Sequence, residues 1–184
     1  MLKITGIQKE AYTRIYTVTD RKGSGPLTTR TSATEGTATL EKDHGIDTGD
    51  VVVVTWDGGT RENVTVGTVS GASVELTDSG SGDNYPDQDT IITVRRTVNI
   101  SGATINLWAK RKLDSSTTYV FTKTDSDFTC PYDSKNYKAS VVFDEDDNDF
   151  AGSVYVIVEF AIAENNTKKL VHLYELTPSP ESGS

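Results

Sequence analysis

Residues 48–69 read TGDVVVVTWDGGTRENVTVGTV, in which a β-branched run, a turn and a second apolar run follow one another. Gly58 and Gly59 are expected to supply the positive φ angles that a tight hairpin loop requires. The chain turns again at 70–72 and returns at 73–76, so three consecutive strands joined by hairpins are predicted. With further strands at 36–40 and 90–94, this meander predicts a small β-barrel or curled antiparallel sheet over residues 1–95.

Residues 98–123 carry a second pattern, in which apolar and polar side chains alternate between turn residues. Ala103, Ile105, Leu107 and Ala109 fall on one face of a predicted strand, and Trp108 falls on the other. Further strands are predicted at 117–124, 140–143, 154–161 and 170–174. About seven short strands with a turn about every ten residues indicate an immunoglobulin-like β-sandwich over residues 96–176. No helix longer than about one turn is predicted, so the fold class is all-β.

Changes in composition divide the chain into predicted domains at 1–95 and 96–176. Residues 21–34 are rich in Gly, Ser, Thr and Pro, and they predict a mobile loop or a flexible arm that becomes ordered against a neighbour. The Pro-Ser segment at 177–184 predicts a disordered tail.

Charge and cysteine content exclude several classes of protein. The 184 residues include 18 basic and 27 acidic side chains, a net charge of −9 that is shared almost evenly between the two halves. Such a surface repels phosphate backbones and anionic lipids, so neither nucleic acid nor a membrane surface is an expected partner. Cys130 is the single cysteine and excludes an intrachain disulfide. The first residues lack a secretory signal, and we expect synthesis as a soluble cytosolic chain.

Two stretches resemble bacteriophage virion proteins. Residues 43–59, DHGIDTGDVVVVTWDGG, and residues 80–94 resemble a short β module that recurs in phage tail and fibre proteins. Residues 98–156, with Gly102-Ala103-Thr104 and an Ala-Gly turn at 151–152, are similar to the immunoglobulin-like domain at the amino end of phage baseplate upper proteins. They depart from that pattern at Val154, where an aromatic is frequent, and in the acidic loop 144–149. The resemblance implies a structural or docking role without catalytic residues.

The acidic loop Asp144–Asp149, DEDDND, is the densest cluster of oxygen ligands in the sequence. Alternate carboxylates could hold Ca²⁺, but the sixth position is Asp149 where the helix-loop-helix pattern needs Gly, and the twelfth is Tyr155 instead of Glu. We interpret this segment as a solvated acidic loop, with a Ca²⁺ site as the alternative.

The remaining reactive side chains favour structural roles. His44 lies in a turn and His172 alternates with apolar residues on a strand, so both are interpreted as structural histidines. Cys130 precedes Pro131 without a nucleophile motif and is interpreted as a buried small residue. No catalytic, cofactor-binding or metal-binding residue is therefore assigned, and we expect no enzyme and no cofactor.

Exposed aromatic residues are the best candidates for an interface, because aromatics dominate binding hot spots. Trp56 is expected to cap its own core, whereas Trp108, Tyr119 and Tyr155 are the candidate interface residues. The expected function is that of a non-enzymatic virion structural protein, a tail or baseplate adaptor to fibres or receptor-binding proteins. Its partners would be other virion proteins and further copies of itself. The alternatives are a capsid decoration (cement) protein, and a carbohydrate- or protein-binding module with these three aromatics as its platform.

Overall fold

The computed structural model describes residues 2–7, 12–80, 85–113, 118–144, 147, 153–162 and 168–178. These residues form fourteen strands and one short 3₁₀ turn, Asp125–Asp127. The predicted all-β class is confirmed. The chain divides into two compact units, one of residues 19–98 and the other of residues 1–18 together with 99–184.

The unit of residues 19–98 is a closed six-stranded antiparallel barrel. Its strands follow the order β3-β4-β7-β6-β5-β8 around the wall, so the predicted meander β5-β6-β7 and the predicted barrel are confirmed. Alternate residues point inward and pack a core that is closed to solvent, and Trp56 packs against its margin as expected. The strands are β3 (Thr19–Arg30), β4 (Glu35–Thr39), β5 (Val51–Trp56), β6 (Gly59–Ser70), β7 (Ser73–Asp78) and β8 (Ile91–Thr97).

The prediction of a mobile arm at 21–34 is wrong, because most of this segment is β3. This strand pairs with β4 on one side and β8 on the other, and its Leu27 is fully buried. A Cβ at Gly25 would lie 1.8 Å from the carbonyl oxygen of Thr39. The glycine is therefore required by a close approach of two backbones, which composition alone does not distinguish from flexibility.

The other unit consists of two sheets. A five-stranded sheet has the order β1-β14-β13-β9-β10, and a three-stranded sheet has the order β11-β12-β2. All neighbours are antiparallel except β1 and β14, which are parallel. The strands are β1 (Leu2–Ile7), β2 (Tyr12–Thr17), β9 (Thr104–Lys110), β10 (Phe121–Lys123), β11 (Phe128–Thr129), β12 (Lys138–Phe143), β13 (Val154–Ile162) and β14 (Lys168–Pro178).

Aromatic contacts join these two sheets across one core. Tyr16 on β2 meets Phe160 on β13 edge to face at 6.1 Å between ring centroids. Phe143 on β12 stacks on Tyr12 at 5.1 Å and meets Phe121 on β10 at 5.6 Å. Ring pairs at these separations add to the stability that burial alone provides, so the two inner faces are packed against each other.

The two units differ from the predicted domains 1–95 and 96–176. Strand β2 pairs along its whole length with β12, so residues 1–18 belong with 99–184, and the barrel is an insertion in the chain between β2 and β9. Buried and exposed side chains alternate along β2, with Tyr16 buried and Ile15 exposed, but such a local pattern does not identify a distant partner strand. Strand β14 also extends two residues into the predicted tail, and 179–184 lie outside the described residues.

The close approach at Gly25 predicts that Gly25→Ala destabilises the barrel by about 2 kcal/mol, the usual cost of overpacking a strand against rigid backbone. The matched control is Gly67→Ala, whose Cβ would meet the side chain of Glu75 at 3.0 Å and backbone only at the ordinary contact distance of 3.8 Å. Urea unfolding of both variants measures the difference. Equal stability of Gly25→Ala and wild type would contradict the packed position of β3.

Candidate functional site

The outer face of the five-stranded sheet carries an apolar row. On β13, Val154, Val156, Val158 and Phe160 are fully buried, which turns Tyr155, Ile157 and Glu159 outward. The register places Ile157 between Trp108 of β9 and Leu173 of β14. Trp108 and Ile157 are partly exposed, and Leu173 is 39% exposed. Trp108, Ile157 and Leu173, the apolar row, thus cross three neighbouring strands.

A charged row lies beside the apolar row on the same face. Lys110 of β9 and Glu175 of β14 flank Tyr155 of β13, so a positive and a negative residue stand on opposite sides of it, and Lys3 of β1 follows Glu175 in register. The Nζ atom of Lys110 lies 5.2 Å from the ring centroid of Tyr119, within the range of a cation–π contact. Lys110, Tyr155 and Glu175 are called the charged row below.

A third row of the outer face lies on the other side of the apolar row. Here Glu159 of β13 lies between Asn106 of β9 and Val171 of β14 in register, and the side chains of Asn106 and Glu159 are partly exposed. The face therefore has an apolar centre between polar and charged margins. That distribution resembles the core and rim of protein–protein interfaces.

The predicted interface residues come together on this face. Trp108 and Tyr155 lie in adjacent rows, and Tyr119, 39% exposed, contacts the face through Lys110. That they bind a partner stays a prediction. Ile157 and Leu173 were missed, although the period-two pattern of β13 already implied that Ile157 points away from the core. The alignment of the three apolar residues depends on cross-strand register, which the sequence did not supply.

A second exposed apolar surface is smaller. Ile15 on β2 and Val142 on β12 point outward from the three-stranded sheet and are 43% and 53% exposed. Their cross-strand partners are Ser140 and Thr13, so no apolar row forms there among the described residues. Scattered exposed aliphatic residues are normal on monomers and require no partner.

The described part of the acidic loop is bonded to a lysine. The Nζ atom of Lys123 lies 3.2 Å from Asp144 Oδ2 and 2.5 Å from Asp147 Oδ2. The backbone N–H of Asp144 donates to Asp147 at 2.9 Å, and that of Asp147 donates to Asp144 at 3.0 Å. No cluster of three or more metal-ligating side chains occurs among the described residues. Residues 145, 146, 148 and 149 of the predicted loop lie outside them.

The pKa values of Lys123 and Asp144 are shifted in the directions that keep both groups charged. Desolvation alone would lower the pKa of Lys123, but the bonds to Asp147 and Asp144 outweigh it and raise the pKa above its usual value. The N–H of Asp147, followed by the ammonium of Lys123, lowers the pKa of Asp144. The ammonium group of Lys123 thus offsets the negative charge of Asp144 and Asp147, as a cation bound to these carboxylates would.

His44 has the structural role predicted for it. The backbone N–H of Ile46 donates to His44 Nδ1 at 2.9 Å, which leaves Nε2 to donate to the carbonyl oxygen of Gly71 at 3.1 Å. Both ring nitrogens are therefore occupied within the barrel. His172 lies on β14 opposite Val158, and its side chain is outside the described residues.

Cys130 is only partly buried, in contrast to the buried residue that the sequence predicted. Its Sγ donates to the carbonyl oxygen of Ile100 at 3.5 Å. Desolvation, followed by the negative charge of Asp125, raises the pKa of the thiol. A raised pKa disfavours the thiolate, which is the nucleophilic form.

No known protein family model matches the chain. The search of curated proteins also found no match. Among the described residues, no helix is long and apolar enough to cross a membrane.

The contacts of Lys123 predict that Lys123→Met destabilises the protein by about 2 kcal/mol. This value lies between the stability lost when an exposed ion pair is broken and that lost when a fully buried one is broken. The side chain of Asp147 is only 9% exposed and would lose the neighbouring charge. Lys112→Met, at an exposed position, is the matched control. Chemical denaturation measures both, and equal stabilities for the two variants would contradict the structural role of Lys123.

The pKa directions also predict how this stabilisation depends on pH. The raised pKa of Lys123 keeps its contribution complete below about pH 10 and removes it as pH rises through the folded-state value. The lowered pKa of Asp144 keeps its contribution present above about pH 4 and removes it as pH falls through the folded-state value. The stability difference between wild type and Lys123→Met should therefore be constant from about pH 5 to 9 and shrink outside that window. A difference that disappears near neutral pH would contradict this ion pair.

Proposed function

We propose that this chain is a non-enzymatic bacteriophage virion structural protein, a tail or baseplate adaptor that connects to fibres or receptor-binding proteins. The observation that carries the proposal is the partly exposed apolar row, Trp108, Ile157 and Leu173, on the face of a hydrogen-bonded sheet. Localisation to the virion, after assembly in the host cytoplasm, belongs to the same proposal.

The composition of the outer face favours a protein partner. Trp108 and Tyr155 are residue types that dominate hot spots, and they adjoin the aliphatic side chains of Ile157 and Leu173. Lys110 and Glu175 stand at the margin, where charges set orientation more than affinity. Because the face is part of a hydrogen-bonded sheet, little conformational entropy is lost when a partner binds it.

We also propose that the larger unit, residues 1–18 with 99–184, is an immunoglobulin-like sandwich. The order of its strands supports this assignment. Immunoglobulin-like sandwiches have strands B, E and D in one sheet and C, F and G in the other. The orders β2-β12-β11 and β9-β13-β14 follow that arrangement in chain order, with β10 beside β9. This agreement supports the resemblance of residues 98–156 to the domain of phage baseplate upper proteins.

The two units suit an adaptor because each has its own strands and its own core. An adaptor needs two surfaces of fixed shape, and a closed barrel and a two-sheet unit on one chain can each present one. Repetition by the symmetry of a virion would make several weak contacts act together. A capsid decoration protein would use the same surfaces and is the alternative within this class.

A carbohydrate-binding module is the second candidate, favoured by the proximity of Trp108, Tyr155 and Tyr119. Sugar rings stack on exposed aromatic faces. Here, however, the apolar row continues through Ile157 and Leu173, which offer aliphatic contact area and no ring face. That continuation favours a protein neighbour over a glycan.

The proposal predicts that the chain is a stoichiometric component of purified phage particles and that Trp108→Ala reduces its incorporation at least about tenfold, as expected for a hot-spot residue. Complementation of a phage that lacks the protein, followed by quantitative mass spectrometry of particles, measures the incorporation. The matched control is Val142→Ala, which shortens an exposed aliphatic side chain on the other sheet.

Because Trp108 points away from the core, both variants should fold, and circular dichroism checks this. Absence of the wild-type chain from particles would overturn the virion role. Glycan-array binding that Trp108→Ala abolishes, together with that absence, would establish the carbohydrate-binding alternative instead.

A further inference from the structure

We infer that the outer face binds a second copy of this chain, related to the first by a two-fold axis that runs along β13. The inference takes from the proposed function that this face docks a protein, and it adds the identity of the neighbour. The partner is therefore the same face on an identical chain, in an isologous contact.

The positions of the rows make the face self-complementary about such an axis. Strands β9 and β14 lie on either side of β13, so the axis exchanges them between copies. Trp108 of each copy then lies opposite Leu173 of the other, and Ile157 meets its own equivalent. The apolar row packs on itself with no polar residue opposed to it.

The charges agree with the same axis. Lys110 and Glu175 share one row and stand on opposite sides of Tyr155. The two-fold operation places Lys110 of each copy opposite Glu175 of the other, which gives two equivalent opposite-charge contacts. An axis running across the strands would instead oppose Lys110 to Asn106, so the charge pattern selects the axis along β13.

The size of the face is compatible with a weak dimer. Strand β13 has nine residues and the sheet has five strands. With a rise of about 3.4 Å per residue and a strand spacing of about 4.8 Å, the five strands, which range from three residues in β10 to eleven in β14, cover about 600 Å². Standard interfaces bury about 800 Å² per partner, so we expect a dissociation constant in the micromolar range.

A contact between two like charges further distinguishes the axis along β13 from an axis across the strands. Glu159 lies on β13, so the axis brings it toward its equivalent in the second copy. Removing that repulsion should strengthen the dimer. Under an axis across the strands, Glu159 would meet Tyr155 instead, and the same change would give no gain.

The experiment is sedimentation equilibrium of the full chain with reversed charges. Wild type should dimerise, whereas Lys110→Glu and Glu175→Lys should each weaken dimerisation about tenfold or more because like charges then face each other twice. The double variant should regain wild-type affinity. Glu159→Gln should dimerise more tightly than wild type.

The most decisive measurement is the association of Lys110→Glu mixed with Glu175→Lys. In a heterodimer of Lys110→Glu with Glu175→Lys, both charge contacts between the copies are again attractive, so the mixture should associate where neither variant does alone. Rescue within one chain cannot produce this result. Lys22→Glu and Glu41→Lys, at exposed barrel positions, carry the same charge changes and should leave dimerisation unchanged.

A wild-type chain that stays monomeric at about 100 µM, far above a micromolar dissociation constant, would overturn the inference. So would a dimer that is insensitive to charge reversal, or a mixture that fails to associate. Incorporation into particles is measured separately, so a monomeric chain found in virions would overturn this inference while leaving the adaptor role intact.

Discussion

The larger unit depends on the alternation of side chains along β13. Val154, Val156, Val158 and Phe160 are fully buried, and this burial fixes the direction of every residue between them. A shift of one residue in register would exchange the two faces and place Glu159 in the core, which is energetically prohibitive. The same constraint that builds the core therefore holds Tyr155, Ile157 and Glu159 on the outside. The buried core and the outer face are two consequences of one pattern.

The barrel obeys a different constraint, the close approach of β3 to neighbouring backbone. Gly25 leaves no room for a side chain beside Thr39, and Leu27 fills the barrel interior two residues later. Near the boundary of the unit, Arg96 Nε donates to Asp20 Oδ1 at 2.8 Å and joins β8 to β3. A barrel closed in this way has its own core, which explains how it can be accommodated between β2 and β9 without contributing to either sheet of the larger unit.

The sequence predicted local features well and distant pairing poorly. Period-two alternation and glycine turns correctly predicted β5, β6, β7, β9 and β13, because those signals lie within each segment. The partner of β2 and the parallel pairing of β1 with β14 depend on residues far apart in the chain, and no local pattern encodes them. Trp108 was predicted as an interface candidate from its position on the polar side of a strand. Its alignment with Ile157 and Leu173 required the register of three strands.

We propose that the outer face of the five-stranded sheet docks another protein. A cryo-electron microscopy reconstruction of an assembled particle that contains this chain tests it most directly. We expect density from another protein subunit against Trp108, Ile157 and Leu173. A reconstruction in which these three side chains face solvent, while the barrel alone makes the contacts, would contradict the claim.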